Sequence, residues 1–439
     1  MENNFKEPGK LLWTEWGINL NEVPFEQLDH YIAVENYLMN DDEPPSDATD
    51  LQKLERYTKS LHHLCESKDW NRVQSILTVP ISINTTTVSF ALPLWDYLMF
   101  KGISPKVLEL TSEIINSFQD TGTDLSYIRI LKAKALGKTG NLPEASRIYE
   151  ELCLNSSPNS EIYIEAKAHL AISQVQRELY QEGIPNLECS LRLIESFLES
   201  GANLGSKAKF LELKTDILSN FAYHQMNLDK LEEARIQYSQ VLQILEENRM
   251  FHKLINPLVH QGIIERKEFR INESIATLEK ARAKAIEIQD KPALTWIDHH
   301  LAWAFRMNKN YKQAEKLGRL ALDGYKQMED QRGITDSYEL LGFIFLDKGE
   351  NHKAIEDFDR ALNWRKDNMS WEQSIATCTM GLAISYWRQR QFFKFIKTLL
   401  EGLNLYRQAG VLNWSRISRL FKFTRVFRHL LLRDNKKSI

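Results

Sequence analysis

The chain is poor in everything that would staple, anchor or strongly polarise a protein. Four cysteines in 439 residues (Cys65, Cys153, Cys189 and Cys378) are too few and too scattered for a disulfide framework. Each lies inside a helical pattern, the setting of a buried thiol in a reducing compartment. No apolar run approaches the roughly 18 residues that a membrane-crossing helix needs. The opening stretch, MENNFKEPGK, lacks the apolar core of a secretory signal. These absences point to a cytoplasmic location. The net charge is only −3, and it is unevenly placed along the chain. With 12 prolines, 18 glycines, 26% charged and 43% hydrophobic residues, the composition is that of a folded chain rather than a low-complexity one.

Catalytic and metal-binding patterns are also missing. ALGKTG at 135–140 has the end of a nucleotide-binding loop, but the first glycine of that loop would fall at position 132, which is Lys132, and no strand precedes it. GANLGSK at 201–207 has its glycines one residue too close and reads as a loop between helices. Two histidine pairs, His62-His63 and His299-His300, are neighbours in helical segments. Adjacent side chains on a helix diverge by about 100°, whereas zinc-binding helices place ligands at i and i+4. Cys65 adds at most a second ligand beside His62. The scattered acidic pairs have no spacing that would converge them for acid–base work. No catalytic, cofactor-binding or metal residue is therefore assigned, and no cofactor is expected.

What the chain does have is a repeat between Leu254 and Arg407. QGIIERKEFRINESI, LAWAFRMNKNYKQAE, LGFIFLDKGENHKAI and a looser LAISYWRQRQFFKFI carry marker residues Ser274, Ala314, Ala354 and Phe395, spaced by 40, 40 and 41 residues. Twelve residues before each marker sits a small residue: Gly262, Ala302, Gly342 and Ala383. A fixed period in this range signals stacked structural units. Within one unit, Leu340, Leu341, Ile344 and Phe345 share one side of a first helix, Gly349 stops it, and Ala354, Phe358 and Ala361 line a second. Such a pair cannot bury both faces alone, so it must stack on the next.

A small residue early in the first helix (A), followed by alanine, bulky and alanine in the second (B), resembles the tetratricopeptide repeat. The forty-residue period and Arg332-Gly333 at a repeat start are similar to the extended repeats of bacterial signalling ATPase sensor regions. The resemblance implies an all-α fold, a right-handed superhelical solenoid of antiparallel helix pairs. Read along the chain, residues 1–50 are expected as an N-terminal cap or docking segment with an acidic linker, 51–409 as about nine helix pairs, clearest over 254–408, and 410–439 as a basic capping helix. In 1–50, Trp13 and Trp16 mark an apolar patch, and Phe25, Leu28, Ile32 and Leu38 are expected on one helix face. Upstream markers are Val73, Val107, Ala145, Cys189 and Ala234, with Cys189 in a poor register.

In such arrays the A helices line a concave groove. On this register the inward residues are Asn220, Tyr223 and Asn227; His260, Ile263, Arg266 and Lys267; Trp296, His299, His300, Trp303 and Arg306; Asp336, Glu339 and Phe343; Met380, Trp387 and Arg388. Amides suit an extended backbone, tryptophans supply contact area and arginine matches carboxylate, so the lining reads as a protein- or peptide-binding surface. Core packing is the competing reading for the tryptophans, and a solvated face for the cations. Residues 411–439 carry a net +7, including Arg416, Arg419, Lys422, Arg425 and Arg428, against −9 over residues 1–56. The basic belt suggests an acidic partner; nucleic acid and a membrane surface stay open for it. The functional expectation is a non-catalytic adaptor serving a partner effector. A peptide-pheromone receptor is the first alternative and an enzyme with an unrecognised site the second.

Overall fold

The computed structural model describes residues 7–40, 45, 48–84, 89–177, 179–201, 203–368 and 372–408. The basic segment 410–439, with Arg416, Arg419, Lys422, Arg425 and Arg428, lies outside the described residues. The first elements are α1 (Glu7–Trp16), α2 (Phe25–Met39), α3 (Asp50–Lys53), α4 (Glu55–Glu66) and α5 (Trp70–Leu77), followed by a hairpin of β1 (Pro80–Asn84) and β2 (Ser89–Pro93). Helices then run as α6 (Leu94–Phe100), α7 (Ser104–Phe118), α8 (Ser126–Lys138), α9 (Leu142–Asn155), α10 (Glu161–Gln176), α11 (Tyr180–Glu199), α12 (Leu204–Asn227) and α13 (Leu231–Glu247). The last are α14 (Ile255–Lys267), α15 (Ile271–Glu287), α16 (Lys291–Met307), α17 (Tyr311–Gln327), α18 (Gln331–Lys348), α19 (Asn351–Asn368), α20 (Glu372–Arg388) and α21 (Phe392–Gln408). The fold is all-α, a solenoid of consecutive antiparallel helix pairs. It divides into two compact units along a boundary that passes through α14 and α15.

The period comes from how the helices stop. Asp229, Arg249, Phe269, Gln289, Lys309, Glu329 and Gly349 all adopt left-handed backbone (φ between 56° and 84°), twenty residues apart each time. The residue after each stop returns its N–H to a carbonyl in the last helical turn, as in Asn310 to Phe305, Asp330 to Tyr325 and Glu350 to Phe345. This is the hydrogen bonding of a Schellman motif. The same residue then opens the next helix: Asn310 Oδ1 accepts from the N–H of Gln313 (3.3 Å) and Asp330 Oδ1 from that of Gly333 (3.0 Å). One repeat is two such helices.

Where α19 crosses α18 and α20, a bulky B-helix residue sits on small A-helix residues. The Phe358 ring of α19 is fully buried. It lies against Gly342 of α18 and Gly381 of α20, where an added Cβ would come within 2.9 and 2.4 Å of ring carbons. Ala302, Ala314, Ala354 and Ser274 are wholly buried. A buried ion network ties α18, α19 and α20 together. Arg365, 1% exposed, donates to Asp336 (2.6 Å), Glu339 (2.5 Å), the Ser374 carbonyl (3.0 Å) and Cys378 Sγ (2.9 Å). Burial raises Glu339, and Arg365 opposes that rise; burial also pushes the Cys378 thiol well up. Asp336 and Glu339, expected in the groove lining, are thus engaged in structure.

The first unit is less regular. Tyr31, Val34 and Leu38 of α2 join Trp13, Tyr57, Leu61 and Leu64 in one core. The expected face of α2 is therefore rotated: Phe25 is 90% exposed and Ile32 lies at the surface, because the helix docks through the 31–34–38 stripe. The β-hairpin was absent from the sequence expectation. Its register pairs Ile81 with Leu92 and Ile83 with Phe90, and Ile81, Ile83 and Leu92 enter the same core. The marker of the α10–α11 pair is Gly183 rather than Cys189. A Cβ there would meet Val175 at 2.8 Å, and the fully buried Ala171 lies twelve residues earlier. Residues 204–207 are the first turn of α12 rather than loop, with Asn203 as its cap.

Candidate binding face of the A helices

In the second unit, Trp303 of α16 is the centre of the cluster. The guanidinium carbons of Arg266 and Arg306 lie 5.5 and 5.2 Å from its ring centre, within cation–π range. Arg306 also lies 4.8 Å from the Phe343 ring, which packs 5.7 Å from Trp303. The Trp303 Nε1–H donates to His299 Nε2 (3.2 Å). His299 is itself buried, and burial pulls its pKa down to about 4, so it is a neutral acceptor that orients the indole. The ring is only half-buried.

The charges around this ring are unequal. Arg306 donates to Asp347 at 2.7 Å, with both side chains largely buried. Arg388 donates to the Leu346 carbonyl, and burial lowers its pKa, with Asp347 and Tyr311 working against that. Arg266 has no carboxylate partner among the described residues, and its Nε is buried without a hydrogen bond. Burial, then the charge of Arg306, pull the Arg266 guanidinium down to about 10.

The other expected lining residues divide. Trp387 packs against Phe392 (5.4 Å) and Phe395 (5.0 Å), and stays half-buried. Trp296 meets His300 edge-on at 5.4 Å, and His300 meets His299 at 5.2 Å. Lys267 is half-buried. Phe343 and Met380 are buried, because they fill the stack instead of facing outward. In the first unit, His260 stacks on Tyr238 (5.1 Å) and meets Tyr223 edge-on, while Ile263 is buried. Asn220 gives one amide hydrogen to the Asp216 carbonyl of its own helix, and Asn227 is the last residue of α12.

One feature of the first unit escaped sequence reasoning: its A helices, with Lys253 from the turn before α14, carry a matched charge ladder. Glu165, 2% exposed, pairs with Lys134 (2.6 Å) and Lys209 (3.3 Å), and Lys253 pairs with Glu212 (2.8 Å) and Asp216 (3.1 Å). Burial alone would raise Glu165; Lys134, Lys209 and His169 outweigh it and hold the carboxyl at about 2. No spacing signal announces these pairs, since their members come from different helices. Among the described residues no group of His, Cys, Asp or Glu could hold a metal ion, and no helix is long and apolar enough to cross a membrane.

Comparison with known proteins agrees with this architecture. The tetratricopeptide-repeat family model matches residues 335–368, which is the α18–α19 pair. No curated protein matches the chain in sequence. Among solved structures, the APC/C heterotetramer Cut9–Hcn1 matches with a TM-score of 0.55 and 14% identity, over 94% of this chain and 67% of that one. A Rap protein complexed with competence and sporulation factor matches at 0.51 and 14%, over 78% and 96%. A signal transduction ATPase with numerous domains and a tetratricopeptide-repeat sensor, from Pyrococcus horikoshii, matches at 0.44 and 14%, over 97% and 75%, an overlap too loose to build on. The matched repeat and the likeness of fold agree that residues 335–368 form a tetratricopeptide repeat and that the described residues fold as a solenoid of the tetratricopeptide-repeat type.

Proposed function

We propose that the chain is a non-catalytic scaffold that holds a protein or peptide segment along the A-helix face and so regulates or senses for a partner effector. The observation that carries this is the half-buried row of large side chains at Arg266, Trp303, Arg306, Trp387 and Arg388. Aromatic and arginine side chains set in partly desolvated positions are the composition of binding hot spots. The peptide-pheromone reading is a finer form of the same proposal, and its support is the likeness of fold to the Rap protein complex. Selection of a displayed random-peptide library on the full chain, followed by amide exchange with a selected peptide, tests the scaffold reading. Protection confined to α14, α16, α18 and α20 is expected. Protection centred on exposed B-helix positions such as Leu320, or no selectable peptide, would overturn it.

A further inference from the structure

We infer that the outward side of α2, formed by Phe25, Leu28, Ile32 and Met39, is a docking surface for a basic amphipathic helix of a partner protein.

Helix α2 spends one side on its own chain, where Tyr31, Val34 and Leu38 are buried. Phe25, Ile32 and Met39 lie exposed on another side, seven residues apart, with the half-buried Leu28 on the same stripe. Seven residues turn an α-helix through about 700°, nearly two full turns, so the three stay in line over about 21 Å. An apolar residue exposed singly is ordinary, but a line of them at this spacing is the seam along which a second helix packs. The charge says which helix. Residues 11–52 hold ten carboxylates and no lysine or arginine. At about 100° per residue, Asp29 falls beside the apolar line, and Glu26 and Glu35 flank it on opposite sides. Lys59 and Arg72 reach the rings of Tyr37 and Tyr31, but they are paired with Glu55 (2.6 Å) and Asp69 and leave this edge acidic. Two α2 helices seam to seam would set these carboxylates against each other, so the face is not built for its own copy. A helix with apolar residues at every seventh position and lysine or arginine on its flanks meets both requirements.

The test uses the full chain and a fluorescent helical peptide of leucine and lysine in heptad register, about 21 residues long to span the seam with a turn to spare at each end. One control has glutamate for lysine, and the other is a scrambled sequence of the same composition. Anisotropy is expected to show binding of the lysine helix alone, and amide exchange to slow over residues 25–39. Phe25→Asp should weaken that binding at least about 30-fold, as loss of a hot-spot aromatic does. It should leave the melting temperature unchanged, because the ring stands in solvent. Glu26→Lys combined with Asp29→Lys should reverse the preference, so that the glutamate helix binds instead. Equal binding of the scrambled peptide, protection confined to other helices, or an affinity that neither variant changes overturns the docking surface. Sedimentation and amide exchange of the chain alone read the other occupants. Self-association that Phe25→Asp abolishes would give the face to a second copy. Exchange within residues 411–439 that Phe25→Asp speeds would give it to the chain's own basic segment. Either result overturns a partner protein as the occupant.

Discussion

Replacing Gly381 with alanine should destabilise the second unit, and the same replacement should stabilise it once Phe358 is gone. The new methyl carbon would sit 2.4, 2.7 and 2.9 Å from three carbons of the Phe358 ring, against an ordinary carbon–carbon contact of about 3.5–4.0 Å. The ring has little room to retreat, since it also lies against Gly342 and edge-on to Phe343 at 4.9 Å. Overpacking of this kind costs about 1–3 kcal/mol, and alanine recovers about 1 kcal/mol over glycine inside a helix. The net loss is therefore about 0–2 kcal/mol, toward the upper end because the shortest contact is 2.4 Å. Phe358→Ala alone empties a fully buried site and should cost about 3–5 kcal/mol. In that background the clash disappears while the helix gain remains, so adding Gly381→Ala should return about 1 kcal/mol. Urea unfolding of the four proteins, with amide exchange over α18 to α20, measures the cycle. Effects of Gly381→Ala that have the same sign in both backgrounds would refute the claim that the ring sits at this crossing.

Arg365→Ala should cost about 3–5 kcal/mol by stranding Glu339 beside Cys378, and Arg365→Met combined with Glu339→Leu should recover most of it; chemical denaturation separates the two. Lys309→Gly should raise the melting temperature modestly, since left-handed backbone costs an ordinary residue about 1–2 kcal/mol and glycine little, while Lys309→Val should lower it. His299 faces Asp336, Arg266 and Arg365, and its folded pKa of about 4 lies below the unfolded value of 6.5. The unfolded state therefore binds the extra proton, and the stability of the neutral ring is complete above pH 6.5 and is lost as the pH falls toward 4. The loss amounts to roughly 3 kcal/mol at about 1.4 kcal/mol per pH unit. His299→Gln should flatten the pH dependence of unfolding in that window; an unchanged slope would place the effect elsewhere.

The second unit was legible because its signal is redundant. Gly342, Ala354, Phe358 and Ala361 each mark the same packing contact, so one misread residue leaves the register intact. The stops were harder. Gly349 advertises left-handed backbone and Asp229 does so weakly; Arg249, Phe269, Gln289, Lys309 and Glu329 carry no such preference, and their backbone conformation is imposed by the helices on either side. Where helices lengthen, as in α11 and α12, the period stretches, and even spacing points to Cys189 where the crossing residue is Gly183. The β-hairpin had its signal in the alternation of Ile81 and Ile83, which a search for helical spacing absorbs. For the candidate face, residue types and helices were readable, but pairing was not. Nothing in the order of the residues shows that Arg306 has Asp347, forty-one positions away, while Arg266 has no counterpart.

Joints closed by main-chain hydrogen bonds, and not by any particular side chain, leave the length of such a chain unusually free to change. Forty codons could be cut out between Lys309 and Gly349 and the splice would still join a B helix to an equivalent stop, with like surfaces meeting across the cut. Removing only twenty would bring two helices of the same kind side by side, each presenting a face shaped for the other kind. Growth and shrinkage by whole pairs, never by halves, is the evolutionary grammar written into that spacing.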